Sequence, residues 1–329
     1  MDKFIPANRV KNLPLVKSYS VNACGHCPMD LIIEELCGFP DVNVLVMGVG
    51  ECVYYAAKQP FAGGRNWGFE LTDQELVFGN TAQIEEALSR IADNGMMTVC
   101  IETCIPSIMD LEPELGAVGT ENCVIVKAPD YTAISPDDIL SELYLQIGKK
   151  LCPHSGQDQL WEQVDSISQM QQKLTRGVHV VKNRKFLDFL RYFEGQGVTV
   201  LDQTVFHPLA YYEQNQALLG IDQREIDEMR GIVRRFAESG AVFQIKSRHA
   251  VYLANFLNQE HVCVACAVVD GADRYQYAQC AAADAGLRVS FDFSEPLPPG
   301  NNLELTADGP WGNFETLCKL LQEANEKWA

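Results

Sequence analysis

Basic residues are few: 26 Lys and Arg stand against 44 Asp and Glu among 329 residues, a formal charge of −18. A field of that sign repels phosphate backbones and argues against nucleic-acid binding. No run of 18 apolar residues occurs, so no segment reads as a membrane span. Met1-Asp2-Lys3-Phe4-Ile5-Pro6 lacks the charged-then-apolar order of a secretion signal, and the expected location is the cytoplasm. No phosphate-binding loop motif is present. Short-period repeats and low-complexity segments are missing as well. What remains is a chain with 47% hydrophobic residues, long enough for two or three domains with real cores.

Apolar runs of strand length alternate with helical patterns. Val42–Met47 reads as a buried strand leading into Gly48-Val49-Gly50. Thr81–Asp93 is a helix with Ile84, Leu88 and Ile91 on one face, ended by Asn94-Gly95. Met96–Ile101 and Asn122–Val126 are further strands, and this order implies a parallel sheet with crossover helices. Residues 135–174 read as helix in two pieces, broken near Cys152-Pro153-His154-Ser155-Gly156. Strands are expected at Val178–Val181, Val198–Leu201, Ala241–Ile245, within His261–Val269 and at Leu287–Phe291. Helices are expected at Phe186–Phe193, Asp222–Ser239, Tyr275–Ala285 and Phe314–Lys327. The fold class is α/β, as several Rossmann-like open parallel-sheet units packed together. The expected domains are 1–175, completed by 305–329, then 176–240 and 241–304.

Cysteine is plentiful by comparison. Eight of the 12 lie in the first 152 residues, at 24, 27, 37, 52, 100, 104, 123 and 152. Residues 153–262 have none, and Cys263, Cys266, Cys280 and Cys318 follow. Twelve are too sparse for a disulfide scaffold, and most cysteines of this kind serve as small buried apolar residues. Position singles out a few. Cys24 and Cys27 precede a helix carrying Leu31, Ile32 and Leu36, Cys52 lies just past the first strand, and Cys104 just past the second. Loops beyond adjacent parallel strands form the ligand crevice of such a sheet, so Cys52 and Cys104 share a rim. Helix N-termini there favour thiolate, and Gly48 and Gly50 let the backbone approach a bulky inorganic group. A zinc site needs a second Cys-x-x-Cys at short range, whereas Cys263-x-x-Cys266 is more than 230 residues away and reads as core. Cys24-x-x-Cys27 also reads as a redox dithiol.

The order of these motifs resembles the component 1 family of nitrogenases and nitrogenase-like reductases. The resemblance rests on Cys27, Gly48-Val49-Gly50-Glu51-Cys52 placed 25 residues after it, and Arg65-Asn66. It continues through Leu71-Thr72-Asp73-Gln74-Glu75-Leu76-Val77-Phe78-Gly79-Asn80 and Glu102-Thr103-Cys104-Ile105-Pro106, with a weaker echo in Gly309-Pro310-Trp311-Gly312-Asn313. It implies that Cys52, Cys104 and either Cys24 or Cys27 ligate an iron–sulfur cluster, 4Fe-4S or larger, at a subunit interface; spacing favours Cys27. A fourth ligand comes from the other cysteine of the pair, a partner subunit or a non-cysteine residue. The resemblance also implies an ATP-dependent nitrogenase-reductase-like iron–sulfur protein as electron donor, and a homo- or heterodimer with a component 1-like subunit.

Departures from the family pattern narrow the activity. Met47-Gly48 replaces His-Gly, Asn80 replaces a glycine, and the middle of the chain is trimmed. The family's cofactor-anchoring cysteine has no counterpart in 153–262. No FeMo-type cofactor is therefore expected: molybdenum and vanadium absent, acetylene and dinitrogen not reduced. His179, His207 and His249 read as satisfied core or surface residues. Tyr54, Tyr55, Trp67 and Phe69 read as core or interface, with a substrate pocket as the alternative. The expected activity is a nitrogenase-like oxidoreductase acting on a small molecule, such as a tetrapyrrole or an organic sulfur compound. The alternatives are a metallocluster assembly scaffold or carrier, and a degenerate subunit paired with a catalytic homologue.

Overall fold

The computed structural model describes residues 4–6, 27–56, 66–74, 81–92, 95–109, 122–129, 136–238, 242–246, 256–257, 259–260, 262–268, 279–283, 286–290 and 313–328. For 4–6 and the strands between 242 and 290 it describes the backbone alone. Cys24, Arg65, residues 75–80, His249 and Gly309–Gly312 lie outside the described residues. The chain divides into two compact units, Ser20–Leu201 and Asp202–Ala329 with Met1–Tyr19.

Strand β1 (Phe4–Pro6) belongs to the latter unit. The former opens with α1 (Pro28–Leu36), which has Pro28 at its first position and buries Met29, Ile32, Ile33 and Leu36 at helical spacing. Strand β2 (Val42–Gly48) is buried throughout, as a β-branched run does in a parallel sheet covered on both faces. Then come α2 (Gly50–Ala56), β3 (Asn66–Glu70), α3 (Thr81–Ala92), β4 (Met97–Glu102), α4 (Cys104–Met109) and β5 (Cys123–Lys127). Gly95, at φ 72°, turns the chain between α3 and β4 in a conformation few other residues adopt.

The four strands form one sheet in the order β3-β2-β4-β5, every pair parallel. Strand alternation sends Leu45, Met47, Cys100 and Cys123 to one face, under Ile84, Leu88 and Ile91 of α3. It sends Val44, Val46, Val99, Ile101, Val124 and Val126 to the other, in the core that α1 and α5 (Pro136–Gly148) share.

The expected break near 152–156 is wider than a kink. It holds β6 (His154–Ser155) and β7 (Gln159–Trp161), ahead of α6 (Ile167–Lys173). The Asp41 carboxylate, 126 residues away in sequence, caps α6 by accepting from the backbone N–H of Ile167 at 2.9 Å. Next are β8 (Thr175–Arg176), β9 (Val178–Val181), a 3-10 turn at Arg184–Phe186, α7 (Leu187–Arg191) and β10 (Thr199–Asp202). β6 pairs with β8, and β7, β9 and β10 make a small sheet in the order β10-β9-β7.

Trp161 of β7 is fully buried among Phe186 and Phe189. Its indole N–H donates to Nδ1 of His179 at 2.7 Å, and His179 Nε2 lies 2.7 Å from the Thr175 carbonyl. One ring nitrogen must accept and the other donate, which fits the neutral imidazole. His179 is thus the satisfied core histidine that the sequence implied. Burial lowers its pKa from the ordinary value near 6.5, against an opposing hydrogen bond to Thr175. The unfolded chain binds the proton more readily, so His179's contribution is present above pH 6.5 and lost as pH falls through the lowered value. Urea unfolding between pH 5 and pH 7.5 should show the wild type losing stability toward acid more steeply than His179→Gln. Parallel profiles would contradict the assignment.

The other unit holds α8 (Leu209–Leu219), α9 (Gln223–Glu238), β11 (Val242–Lys246), β12 (Cys263–Val268), β13 (Gln279–Ala283), β14 (Gly286–Ser290) and α10 (Phe314–Trp328). Ile226, Met229, Ile232, Val233 and Phe236 of α9 share a core with Phe314, Leu317, Leu320 and Leu321 of α10. Its sheet runs β1-β14-β13-β12-β11, with β11 and β12 parallel and the remaining pairs antiparallel. The α/β class holds, but this second sheet is mixed rather than parallel. Three further readings differ from the structure. Gln279–Ala283, read as helix from its alanines, is a strand, because pairing with β14 outweighs helix propensity. The boundary falls between Leu201 and Asp202 rather than near 175, and α10 belongs with Asp202–Ala329 rather than with the first domain.

Candidate metal centre

Strand order creates the site. The chain leaves β2 for β3 on one flank and then returns to β4 on the other. β2 and β4 therefore flank a topological switch point, where connections leave in opposite directions and open a crevice beyond the strands' carboxyl ends. Cys52, in the first turn of α2, follows the end of β2, and Cys104 opens α4 just past β4. Met47 and Glu102 are register partners, and the Thr103 N–H donates to the Met47 carbonyl at 3.0 Å, joining the two exits. The Ser107 N–H donates to the Thr103 carbonyl at 3.0 Å, which starts α4 directly from that junction.

Cys27 is the N-cap of α1, its backbone extended and its carbonyl accepting from the Leu31 N–H at 3.1 Å. Cys27 and Cys52 pack against the same hydrophobic core, on the sheet face that α1 covers. Cys27, Cys52 and Cys104 are all half-buried, and none of the described cysteines is in a disulfide. Cys104 lies close enough to raise the pKa of Cys52, as does Asp30 in the first turn of α1. Cys24, the other candidate for the first position, is not among the described residues. Among the described residues no three His, Cys, Asp or Glu side chains converge on a point fit for a single metal ion. A cluster distributes its thiolates over several irons, so its ligands have no need of that convergence.

The two glycines have an internal reason. A Cβ at Gly48 would overlap the Thr103 hydroxyl and lie 3.1 Å from the Cys52 Cβ. At Gly50 a Cβ would lie 2.9 Å from Glu70 Oε1. In the described contacts these absent side chains make room for Thr103 and Glu70.

Helix N-termini do not leave Cys52 a ready thiolate. Burial pushes its pKa up first, and Cys104, Glu51 and Asp30 push the same way, while the nearby Thr103 hydroxyl opposes them. The expectation of favoured thiolate is corrected here. The helix is only seven residues long, and acidic residues stand in the first turns of α1 and α2. Sequence analysis missed those acids and Thr103, although Thr103 stands beside Cys104 in its motif.

Cys100, Cys123 and Cys318 behave as packing, whereas Cys152 is exposed. Cys100 and Cys123 are buried under α3, with Cys123 pushed to about 11 by desolvation. Cys318 packs against the core of α9 and α10 and is pushed to about 12. The backbone places Cys263 and Cys266 in β12, and Cys280 in β13 rather than a helix.

The four aromatics do not share a pocket. Trp67 and Phe69 are register partners of Leu45 and Met47, on the α3 face, where Phe69 packs into the core. Tyr54 and Tyr55 are on α2, whose Cys52 and Ala56 join the opposite core, and each is 59% exposed. Trp67 is exposed too, so the expectation of core holds for Phe69 alone among the four. In the other unit His207 stacks on Tyr211, their ring centres 4.0 Å apart. No helix among the described residues is long and apolar enough to cross a membrane.

No family model matches the chain, and no curated protein matches it. Two solved structures titled as nitrogenase Cp1 align with most of it. The one at pH 6.5 covers 76% of this chain and 70% of its own at 12% identity, with a TM-score of 0.38. The one at pH 5 covers 77% of this chain at 11% identity and TM-score 0.42, and this chain spans less than two-thirds, 64%, of it. Values this low assign neither family nor activity, and the chain is an α/β protein with Cys52 and Cys104 just past the ends of two neighbouring parallel strands.

Proposed function

We propose that this chain is a nitrogenase-like oxidoreductase subunit. In this reading it receives electrons from an ATP-dependent iron–sulfur reductase through a cluster held by Cys27, Cys52 and Cys104. The observation that carries the reading is the placement of Cys52 and Cys104 at the exits of β2 and β4, with Cys27 on the same core. The donor set suits the group: soft thiols match iron and sulfide, half-burial limits water, and a buried hydroxyl on Thr103 stands ready beside one sulfur.

When bound, the cluster supplies one-electron storage at a potential set by its surroundings. The chain's own part is positioning. The N-terminus of α1 holds Cys27, and the Thr103–Met47 backbone bond holds the β2 and β4 exits together. Burial first, and then Cys104, Glu51 and Asp30, raise the pKa of the Cys52 thiol, so binding of a metal there would release a proton. A second subunit closes the open side of the rim in this reading. The substrate is a small molecule other than dinitrogen.

The test uses chain reconstituted with iron and sulfide, mixed anaerobically with an ATP-hydrolysing iron–sulfur reductase encoded beside it. Visible absorption should bleach when ATP is added and recover on re-oxidation. Bleaching that ignores ATP, or none with a reductase active toward dyes, would refute the electron path.

A further inference from the structure

Thr103 is 2% exposed, and its hydroxyl oxygen is buried with no aligned hydrogen-bond partner among the described residues. Burying a hydroxyl this way costs stability, whereas valine of nearly the same shape would fill the space without that cost. The hydroxyl is also held in place. The Thr103 N–H is bound to the Met47 carbonyl and its own carbonyl to the Ser107 N–H, so the backbone is pinned on both sides. Gly48 below it is open only because it has no Cβ, and the same point lies 3.1 Å from the Cys52 Cβ. Thr103 and Cys52 thus border the same point above Gly48, which makes the Cys52 sulfur a neighbouring acceptor.

We infer that the Thr103 hydroxyl donates a hydrogen bond to the Cys52 sulfur in the loaded site and raises the reduction potential of the cluster held there. The inference rests on the cluster reading above. A neutral thiol accepts hydrogen bonds weakly. A metal-bound thiolate is a far better acceptor. Adding one electron to the cluster puts more negative charge on its sulfurs, so a fixed donor stabilises the reduced form more than the oxidised one. Thr103 touches one ligand and none of the reacting atoms, so it is a positioning residue.

The experiment compares full-length wild type, Thr103→Val and Thr103→Ser, each reconstituted with ferrous iron and sulfide and titrated potentiometrically with mediator dyes. Thr103→Val should keep its iron and show a more negative midpoint potential, and Thr103→Ser should return to the wild-type value. Without metal, Thr103→Val should melt no lower than wild type, because it loses only an unaligned hydroxyl. If the valine methyl disturbs packing over Gly48, Thr103→Ala removes the hydroxyl without that bulk and should give the same negative shift. Equal midpoints in wild type and valine variant, with iron bound in both, would overturn the inference and leave the cluster reading standing. A wild type that takes up no iron would overturn both.

Discussion

Cys52→Ala and Cys104→Ala are each expected to lose most of the iron that the reconstituted wild type binds, while Cys318→Ala keeps it. The two sites are alike in being half-buried cysteines at the exits of neighbouring parallel strands, each the first strong donor that a group in the crevice meets. Cys318 is equally a half-buried thiol, but it packs among the side chains of α9 and α10 in the other unit. Alanine at 52 should leave the fold intact. The residue lies near the start of a short helix, and alanine is a good helix former. Iron content and circular dichroism on the same samples separate ligand loss from unfolding. Iron retained at wild-type level in both rim variants would remove these residues from the ligand set.

Trp161→Ala should be the most destabilising single substitution proposed for Ser20–Leu201. The side chain is fully buried, touches the rings of Phe186 and Phe189, and donates to His179. Its removal leaves a large cavity and a buried imidazole nitrogen without its donor. The expected loss is about 3–5 kcal/mol, out of roughly 5–15 kcal/mol for a typical domain. Trp161→Phe should cost less, since the ring packing survives and only the indole donor goes. Urea denaturation followed by circular dichroism checks the order. Equal stability of wild type and Trp161→Ala would show that this core is not where it is placed.

The sequence made the buried elements legible and hid the exposed ones. β2, β4 and β5 are mostly apolar, as a covered parallel sheet demands, and α3 carries a clean apolar stripe. β3, Asn-Trp-Gly-Phe-Glu, has neither feature. It is an edge strand with three exposed residues, and its Gly68 sits against Val53 of α2, so no apolar run marks it. That omission mattered, because the switch point exists only when β3 lies on the far flank of β2. The shared rim of Cys52 and Cys104 was readable from their spacing past two strands, but the reversal in strand order that opens the crevice was not. Thr103 was hidden for a different reason. Its significance comes from burial against Gly48 and Cys52, residues 55 and 51 positions earlier in the chain. Gln279–Ala283, within the expected helix, failed in the opposite sense: its alanines speak for a helix locally, and partner strands decide otherwise.

The acidic setting of the rim also bears on how the site fills. Burial first, and then Cys104, Glu51 and Asp30, raise the pKa of Cys52. Iron must then displace a proton, and the same negative surroundings attract the cation. Zinc is subject to the same attraction, which makes metal identity the decisive observation. The most direct test is metal and sulfide analysis of wild-type chain purified anaerobically from iron-replete cells. The account predicts a brown protein with iron and acid-labile sulfide in matching amounts, and little zinc. Stoichiometric zinc with neither iron nor sulfide would contradict it.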